Sequence, residues 1–300
     1  MEKQNHALLC AVRGFLDFLF PRECPVCGRT LTLQEQFLCI ECRANLPLTH
    51  FWAWPHNPLS DKFNEMIQRD LQKELGQNGG SEPPENQDGA AAAYEPYAEG
   101  AALFFYRAPV RPGVSGGPAM DYRMITRRLK YEADLPLGRH FAKILGKHLA
   151  ASALFRTVSC VIPVPLHPLR RWQRGYNQAD IIGREIAGAL RVPLLRGVLR
   201  RVRRTRSQAR ISLDKKSLNV QGAFVASSRK LQRFLKGQAR SGHVDSGDHS
   251  LHILLVDDVF TTGATLHACH KALREALARL GYSPRNVRIS VATLAFARTI

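Results

Sequence analysis

Residues 251–266 read "LHILLVDDVFTTGATL". An aliphatic run meets two adjacent carboxylates, then small and hydroxylic residues, then apolar residues again. A strand, a tight turn and a helix in that order form a β–α unit. A strand apolar along its whole length belongs in a parallel sheet covered on both faces. The helix start offers unpaired N–H groups and the positive end of the helix dipole, which together suit an anion. Thr261, Thr262, Gly263, Ala264 and Thr265 would supply amides and hydroxyls, with Gly263 permitting close backbone approach. A phosphate fits there. Asp257 and Asp258, at the carboxyl end of the strand where open α/β sheets bind ligands, cannot hold that phosphate themselves. They suit sugar hydroxyls or a divalent ion, and a phosphate cradle beside hydroxyl-accepting carboxylates describes a 5-phosphoribose. Capping Asp and Thr at an ordinary β–α turn would account for only part of this pattern. The chain has no G-x-x-x-x-G-K-[ST] stretch, which excludes a Walker-type nucleotide site.

Other segments extend the same architecture. "AALFFY" (101–106), "CVIPVPL" (160–166) and "VRISVATLAFA" (287–297) read as strands. "YRMITRRLKY", "LGRHFAKILGKHLA", "NQADIIGREIAGAL" and "TLHACHKALREALARLG" have helical spacing. Alternation of this kind predicts an α/β fold with a parallel sheet flanked by helices. Residues 50–76 read as mixed and partly helical. Residues 76–100, rich in Gly, Pro, Asn and Glu, read as an insert with little to bury. No internal repeat is present.

Four cysteines, Cys24, Cys27, Cys39 and Cys42, lie in "CPVCGRTLTLQEQFLCIEC", two C-x2-C knuckles eleven residues apart. Each knuckle aims two thiolates at one ion, and two of them close a tetrahedral zinc site. With four cysteine ligands such a site has no open position, so the metal is structural. Two disulfides or four free thiols are the alternatives. The x2 spacing and the lack of a secretory signal both weigh against them. Cys10, Cys160 and Cys269 have apolar neighbours and read as core residues.

The chain has 43 Lys and Arg against 25 Asp and Glu, a formal net charge of +18. That balance favours polyanionic partners, nucleic acid or phosphorylated small molecules, without choosing between them. "HALLCAVRGFLDFLF" is too short to span a bilayer, is interrupted by Arg13 and Asp17, and has no small-residue cleavage site after it. It reads as an amphipathic helix packed on the protein, and the expected location is the cytoplasm.

The stretch from Asp257 to Thr265 resembles the loop that binds phosphoribosyl pyrophosphate (PRPP) in type I phosphoribosyltransferases. Further matches run from Pro163 to His167 ("PVPLH") and from Arg174 to Gln178 ("RGYNQ"). Arg204, Thr205, Gln208, Asn219, Gly222 and Phe224 match a third series, and Arg128 to Tyr131 ("RLKY") a fourth. With the four-cysteine ribbon, these resemble the ComF family of competence proteins. The resemblance covers most of the chain in order. It departs where Glu132 and Ala133 replace the usual basic residue and glycine, and in the length of the 76–100 and 237–250 stretches.

The resemblance implies a type I phosphoribosyltransferase fold carrying an N-terminal zinc ribbon. The expected division is an amphipathic helix over 1–22, the ribbon over 23–50, a connecting segment over 51–100 and the transferase-like domain over 101–300. PRPP with Mg2+ is the implied ligand, held by Asp257, Asp258 and residues 261–265. His167, Arg170, Arg171, Arg174 and Arg204 are candidates for the pyrophosphate and mobile loops. Cations there would stabilise departing pyrophosphate, although any one Arg could equally serve a solvated basic face. No residue identifies a nucleobase pocket or a catalytic group, so transferase activity remains an inference from a binding loop. The other expectation is a non-catalytic competence protein that uses the fold as a scaffold for single-stranded DNA or for DNA-uptake proteins. Residues 170–216 contain 14 Lys and Arg and three acids, with Trp172 and Tyr176 available for stacking.

Overall fold

The computed structural model describes residues 21–77, 95–106, 120–202, 222–240 and 251–297. The helix expected over 1–22 therefore lies outside the described residues, apart from Pro21 and Arg22. So does most of the 76–100 insert, as do Cys10 and the 203–221 tract that carries Arg204.

Four strands make an all-parallel sheet: β1 (Gly100–Phe105), β2 (Cys160–Pro163), β5 (Leu251–Phe260) and β6 (Val287–Phe296), in the spatial order β1-β6-β5-β2. Two short strands, β3 (Leu199–Arg201) and β4 (Phe224–Ala226), pair antiparallel as a separate ribbon. The helices are α1 (Ile40–Ala44), α2 (Pro58–Gln77), α3 (Arg123–Tyr131), α4 (Leu135–Ala151), α5 (Pro168–Arg174), α6 (Gln178–Leu190), α7 (Ser228–Arg240) and α8 (Ala264–Ala278).

Alternate sheet residues feed two cores. Ala101, Leu103, Val161, Leu254, Val256 and Leu294 face α3, α4, α6 and the cysteine ribbon. Ala102, Ile162, Ile253, Leu255, Ile289 and Val291 face α2, α7, α8 and the β3–β4 ribbon. This is the period-two alternation of strands covered on both sides.

Three strand and helix boundaries differ from expectation. The 160–166 strand stops at Pro163, and Pro165 has no N–H to continue it. β5 does not end at the carboxylates: Val259 and Phe260 keep register with Ala295 and Phe296 of β6. The mixed region after the ribbon contains a 20-residue helix, α2. Asn57 starts it, its Oδ1 accepting from the amides of Leu59 and Ser60 at 3.1 and 3.0 Å. The same side chain donates from Nδ2 to the Gly100 carbonyl at 3.0 Å, which ties α2 to the first strand. Gly100 is required by this closeness, because a Cβ there would lie 2.4 Å from Leu59 Cδ2.

The topology positions the site. β5 and β2 are neighbours, yet the helices that follow them leave for opposite faces: α8 to one, α6 to the other. The carboxyl ends of these two strands therefore flank a topological switch point, where open α/β sheets present a crevice. The Val164 amide donates to the Val256 carbonyl at 2.9 Å, so Asp257 and Asp258 stand level with the loop after β2.

Candidate phosphoribosyl site and cysteine centre

Asp257 and Asp258 stand near the carboxyl end of β5, and α8 begins six residues beyond the second of them. Gly263 caps α8 with φ +81° and provides no side-chain cap. The Thr262 hydroxyl stands 3.5 Å from the Ala264 amide, a long contact that leaves the first turn open to a ligand. Thr261 is exposed, while Thr262, Ala264 and Thr265 are half-buried.

The acidic pair is not left to itself. Lys130, in the last turn of α3, places Nζ 3.0 Å from Asp258 Oδ2. Burial penalises the Lys130 charge, but Asp258, with Asp257 behind it, outweighs this and raises its proton affinity. Asp257 is pushed up to about 7, by burial and then by the charge of Asp258, against the pull of Lys130 and Arg201. Arg201, from β3, is lowered by burial and by the neighbouring charge of Arg170.

This asymmetry has a consequence for stability. A carboxyl whose folded pKa lies above its unfolded value of about 3.9 holds its proton more tightly in the native chain. The stabilisation is complete below about pH 4 and is lost as pH rises through about 7. Asp257→Asn cannot lose it. The gap in melting temperature between this variant and the parent should widen from pH 4 to pH 7 and then level off. Thermal melts across that range would contradict the account if the gap were independent of pH.

The structure brings some of the expected residues to the pair and leaves others apart. Arg170 approaches it through Arg201, and Arg174 shares a cleft with Lys130. Arg171 is exposed and does not line that cleft. His167 caps α5, its Nδ1 accepting from the Leu169 amide at 3.3 Å. Arg204 lies outside the described residues. Asn177 and Tyr176 of the "RGYNQ" stretch hold the frame. Asn177 Nδ2 donates to the Val164 carbonyl at 3.0 Å, and the Tyr176 hydroxyl donates to the Leu129 carbonyl. Lys130 and Arg201 were given no individual role by sequence reasoning, and their only signal was membership in matched or basic stretches. Ala133, where the family pattern has glycine, adopts φ +53°, the left-handed conformation that explains the usual glycine.

The ribbon cysteines converge. Sγ atoms of Cys24, Cys27, Cys39 and Cys42 lie within 4.8 Å of one another, and Cys27 and Cys39 are 3.6 Å apart. A tetrahedron of Zn–S bonds near 2.3 Å has an edge of about 3.8 Å, so the donor set fits one structural zinc. Gly28 turns the first knuckle at φ +74°, with its amide donating to the Cys24 carbonyl at 2.8 Å. Cys39 caps α1 and accepts from the Cys42 amide at 3.4 Å. Among the described residues this is the one group of three or more potential ligands close enough to hold a metal.

Residues 15–51 match the double zinc ribbon domain family. Competence protein F of Haemophilus influenzae is 31% identical over 157 residues, covering 51% of this chain and 61% of that protein. These matches fit a ComF-like protein. DNA utilization protein YhgH of Salmonella typhi is 31% identical over 106 residues, 35% of the ComF-like chain and 39% of the relative. The chain thus spans about three fifths of the length of one relative and two fifths of the other. Two solved structures are similar to it. Adenine phosphoribosyltransferase of Leishmania tarentolae aligns with TM-score 0.28 and 13% identity over 59% of this chain and 77% of that one. The enzyme of Trypanosoma brucei, in complex with AMP, pyrophosphate and ribose-5-phosphate, aligns with TM-score 0.25 and 16% identity over 60% and 70%. Among the described residues of the ComF-like chain, no helix is long and apolar enough to cross a membrane.

Proposed function

We propose that this ComF-like protein binds PRPP or a related 5-phosphoribosyl ligand and acts in the cytoplasm in the uptake or use of DNA. The observation that carries the ligand reading is the Asp257–Asp258 pair at the switch point, beside an α8 N-terminus without a side-chain cap. In this reading Asp257 and Asp258 accept hydrogen bonds from the ribose hydroxyls, and Lys130 orients Asp258. The amides and hydroxyls of residues 261–265 hold the 5-phosphate. Arg170, with Arg174 and the tract containing Arg204, meets the pyrophosphate, with His167 and Arg171 at the flanks. Oxygen donors of this kind suit Mg2+, which would arrive with the pyrophosphate and neutralise its charge. Pentosyl transfer with pyrophosphate departure is the chemistry such a site could support. The names of the relatives, a competence protein and a DNA utilization protein, support the cellular role.

A ligand that binds only the folded chain raises its melting temperature. PRPP with Mg2+ is expected to do so for the parent and not for Asp258→Ala. No shift in either would remove the ligand reading.

A second reading, a non-catalytic protein gripping single-stranded DNA or a DNA-uptake partner, is favoured by Trp172, which is 84% exposed on a helix rich in arginine. Fluorescence anisotropy with a labelled single strand separates the two readings. Salt-steep binding that persists in Asp257→Ala/Asp258→Ala would place DNA outside the phosphoribosyl site, and its loss there would join them.

A further inference from the structure

Next to the acidic pair, but distinct from the α8 loop, lies a cleft of about 600 Å3 lined by Lys130, Tyr131, Arg170, Gln173, Arg174 and Tyr176. That volume falls within the range of ordinary small-molecule sites. None of the described residues that line it is acidic. The Lys130 charge is matched by Asp258 at its back. Arg170 and Arg174 have no carboxylate within ion-pair distance among the described residues. The close neighbour of Arg174 is instead the ring of Tyr131, 5.1 Å from guanidinium carbon to ring centre. A ring neighbour leaves the guanidinium its full charge and its hydrogen-bonding edge. Tyr131 itself is 70% exposed, a large aromatic surface open to solvent beside a cation.

We propose that this cleft binds a planar aromatic carboxylate, with Arg174 and Arg170 meeting the acid and Tyr131 offering its ring surface. Forked guanidinium donors match a carboxylate in both geometry and charge. Burial, and after it the nearby charge of Arg170, disfavours the Arg201 cation, and a bound anion would offset the charge part of this. A simple polyanion would have no use for the exposed ring. A nucleic-acid strand needs a row of stacking platforms, whereas this cleft offers one largely exposed ring, Tyr131, and Trp172 lies outside its lining. Arg170 and Arg174 are the groups read above as meeting pyrophosphate, so the acid and pyrophosphate compete for them; the part played by Tyr131 is separate, and failure of the phosphoribosyl reading leaves it standing.

The test is calorimetric titration of the full chain with benzoate, anthranilate and pyridine-2,3-dicarboxylate. Benzamide and nicotinamide serve as neutral counterparts, with inorganic pyrophosphate and a short oligo-dT as competitors. The acids are expected to bind at least about ten-fold more tightly than the amides, and Arg174→Gln to lose about ten-fold. Tyr131→Ala should weaken the acids and leave pyrophosphate unchanged, while Tyr131→Phe, which keeps the ring, should behave as the parent. Equal affinity for acids and amides, or no binding of either, would overturn the proposal. Pyrophosphate displacing the acids with no effect of Tyr131→Ala would make the cleft an anion site only. Displacement by oligo-dT that is lost in Trp172→Ala would assign it to a strand. Either result sinks the aromatic-acid reading.

Discussion

Gly263→Ala is expected to abolish high-affinity phosphoribosyl binding and to destabilise the chain by about 3 kcal/mol. Two effects add. An alanine held at φ +81° carries the left-handed penalty of about 1–2 kcal/mol. Its Cβ would also lie 2.7 Å from Phe260 Cζ and 3.1 Å from Met66 Sδ. The Phe260 ring cannot swing aside, because it stacks on Phe296 at 5.7 Å, and Phe296 in turn meets Phe51 and Phe105. The strain must then be relieved by the loop, which displaces the amides at the start of α8. Gly281→Ala, in the turn after α8, is the matched control: φ is +82°, and nothing lies within 4 Å of the added methyl. It should lose the conformational term alone and keep ligand binding. Urea denaturation and ligand titration of both variants make the comparison. Equal behaviour of the two would mean that the loop is not the packed cradle inferred from Gly263.

Loss of zinc is the second large effect. Binding energy at structural zinc sites is folding energy, on the order of 10 kcal/mol in isolated fingers. Here the ribbon does not stand apart. Cys24, Cys39 and Cys42 belong to the same core as Leu129, Leu137 and Phe141. The Tyr122 hydroxyl donates to the Cys42 carbonyl at 2.9 Å, and the Asp121 amide donates to Val26 at 3.0 Å. Without a metal the four sulfurs lose the bonds that hold the two knuckles together beneath that face. Chelation, or Cys42→Ser, is therefore expected to lower the melting temperature of the whole chain by on the order of 10 °C. The loss should not be confined to a local transition in the ribbon. Metal analysis of the purified chain should find zinc, and chelation without any change in melting would contradict the structural role.

Sequence reasoning located what is encoded locally. The change from a continuous aliphatic run to helical spacing at 251–266 identified β5, the turn and α8, because period and turn chemistry lie in adjacent residues. The cysteine knuckles were legible for the same reason. The end of β5 was misjudged, since carboxylates are unusual inside a strand and only pairing with β6 carries the strand on to Phe260. α2 was only partly anticipated: its polar composition masks the few residues, Leu59, Phe63 and Ile67, that bury against the sheet. β3 and β4 are three residues each, too short to show a period, and a long basic tract separates them. Lys130 and Arg201 belong to elements far apart in sequence. Their convergence on Asp258 and Asp257 is a product of topology, which spacing along the chain does not record.

The most direct measurement of the central claim is calorimetric titration of the purified chain with PRPP and Mg2+, beside the Asp257→Asn/Asp258→Asn double variant. The account predicts saturable binding by the parent and none by the variant, with the variant still folded. No heat at millimolar PRPP, or equal binding by both proteins, would contradict it and leave the fold a scaffold for a different ligand.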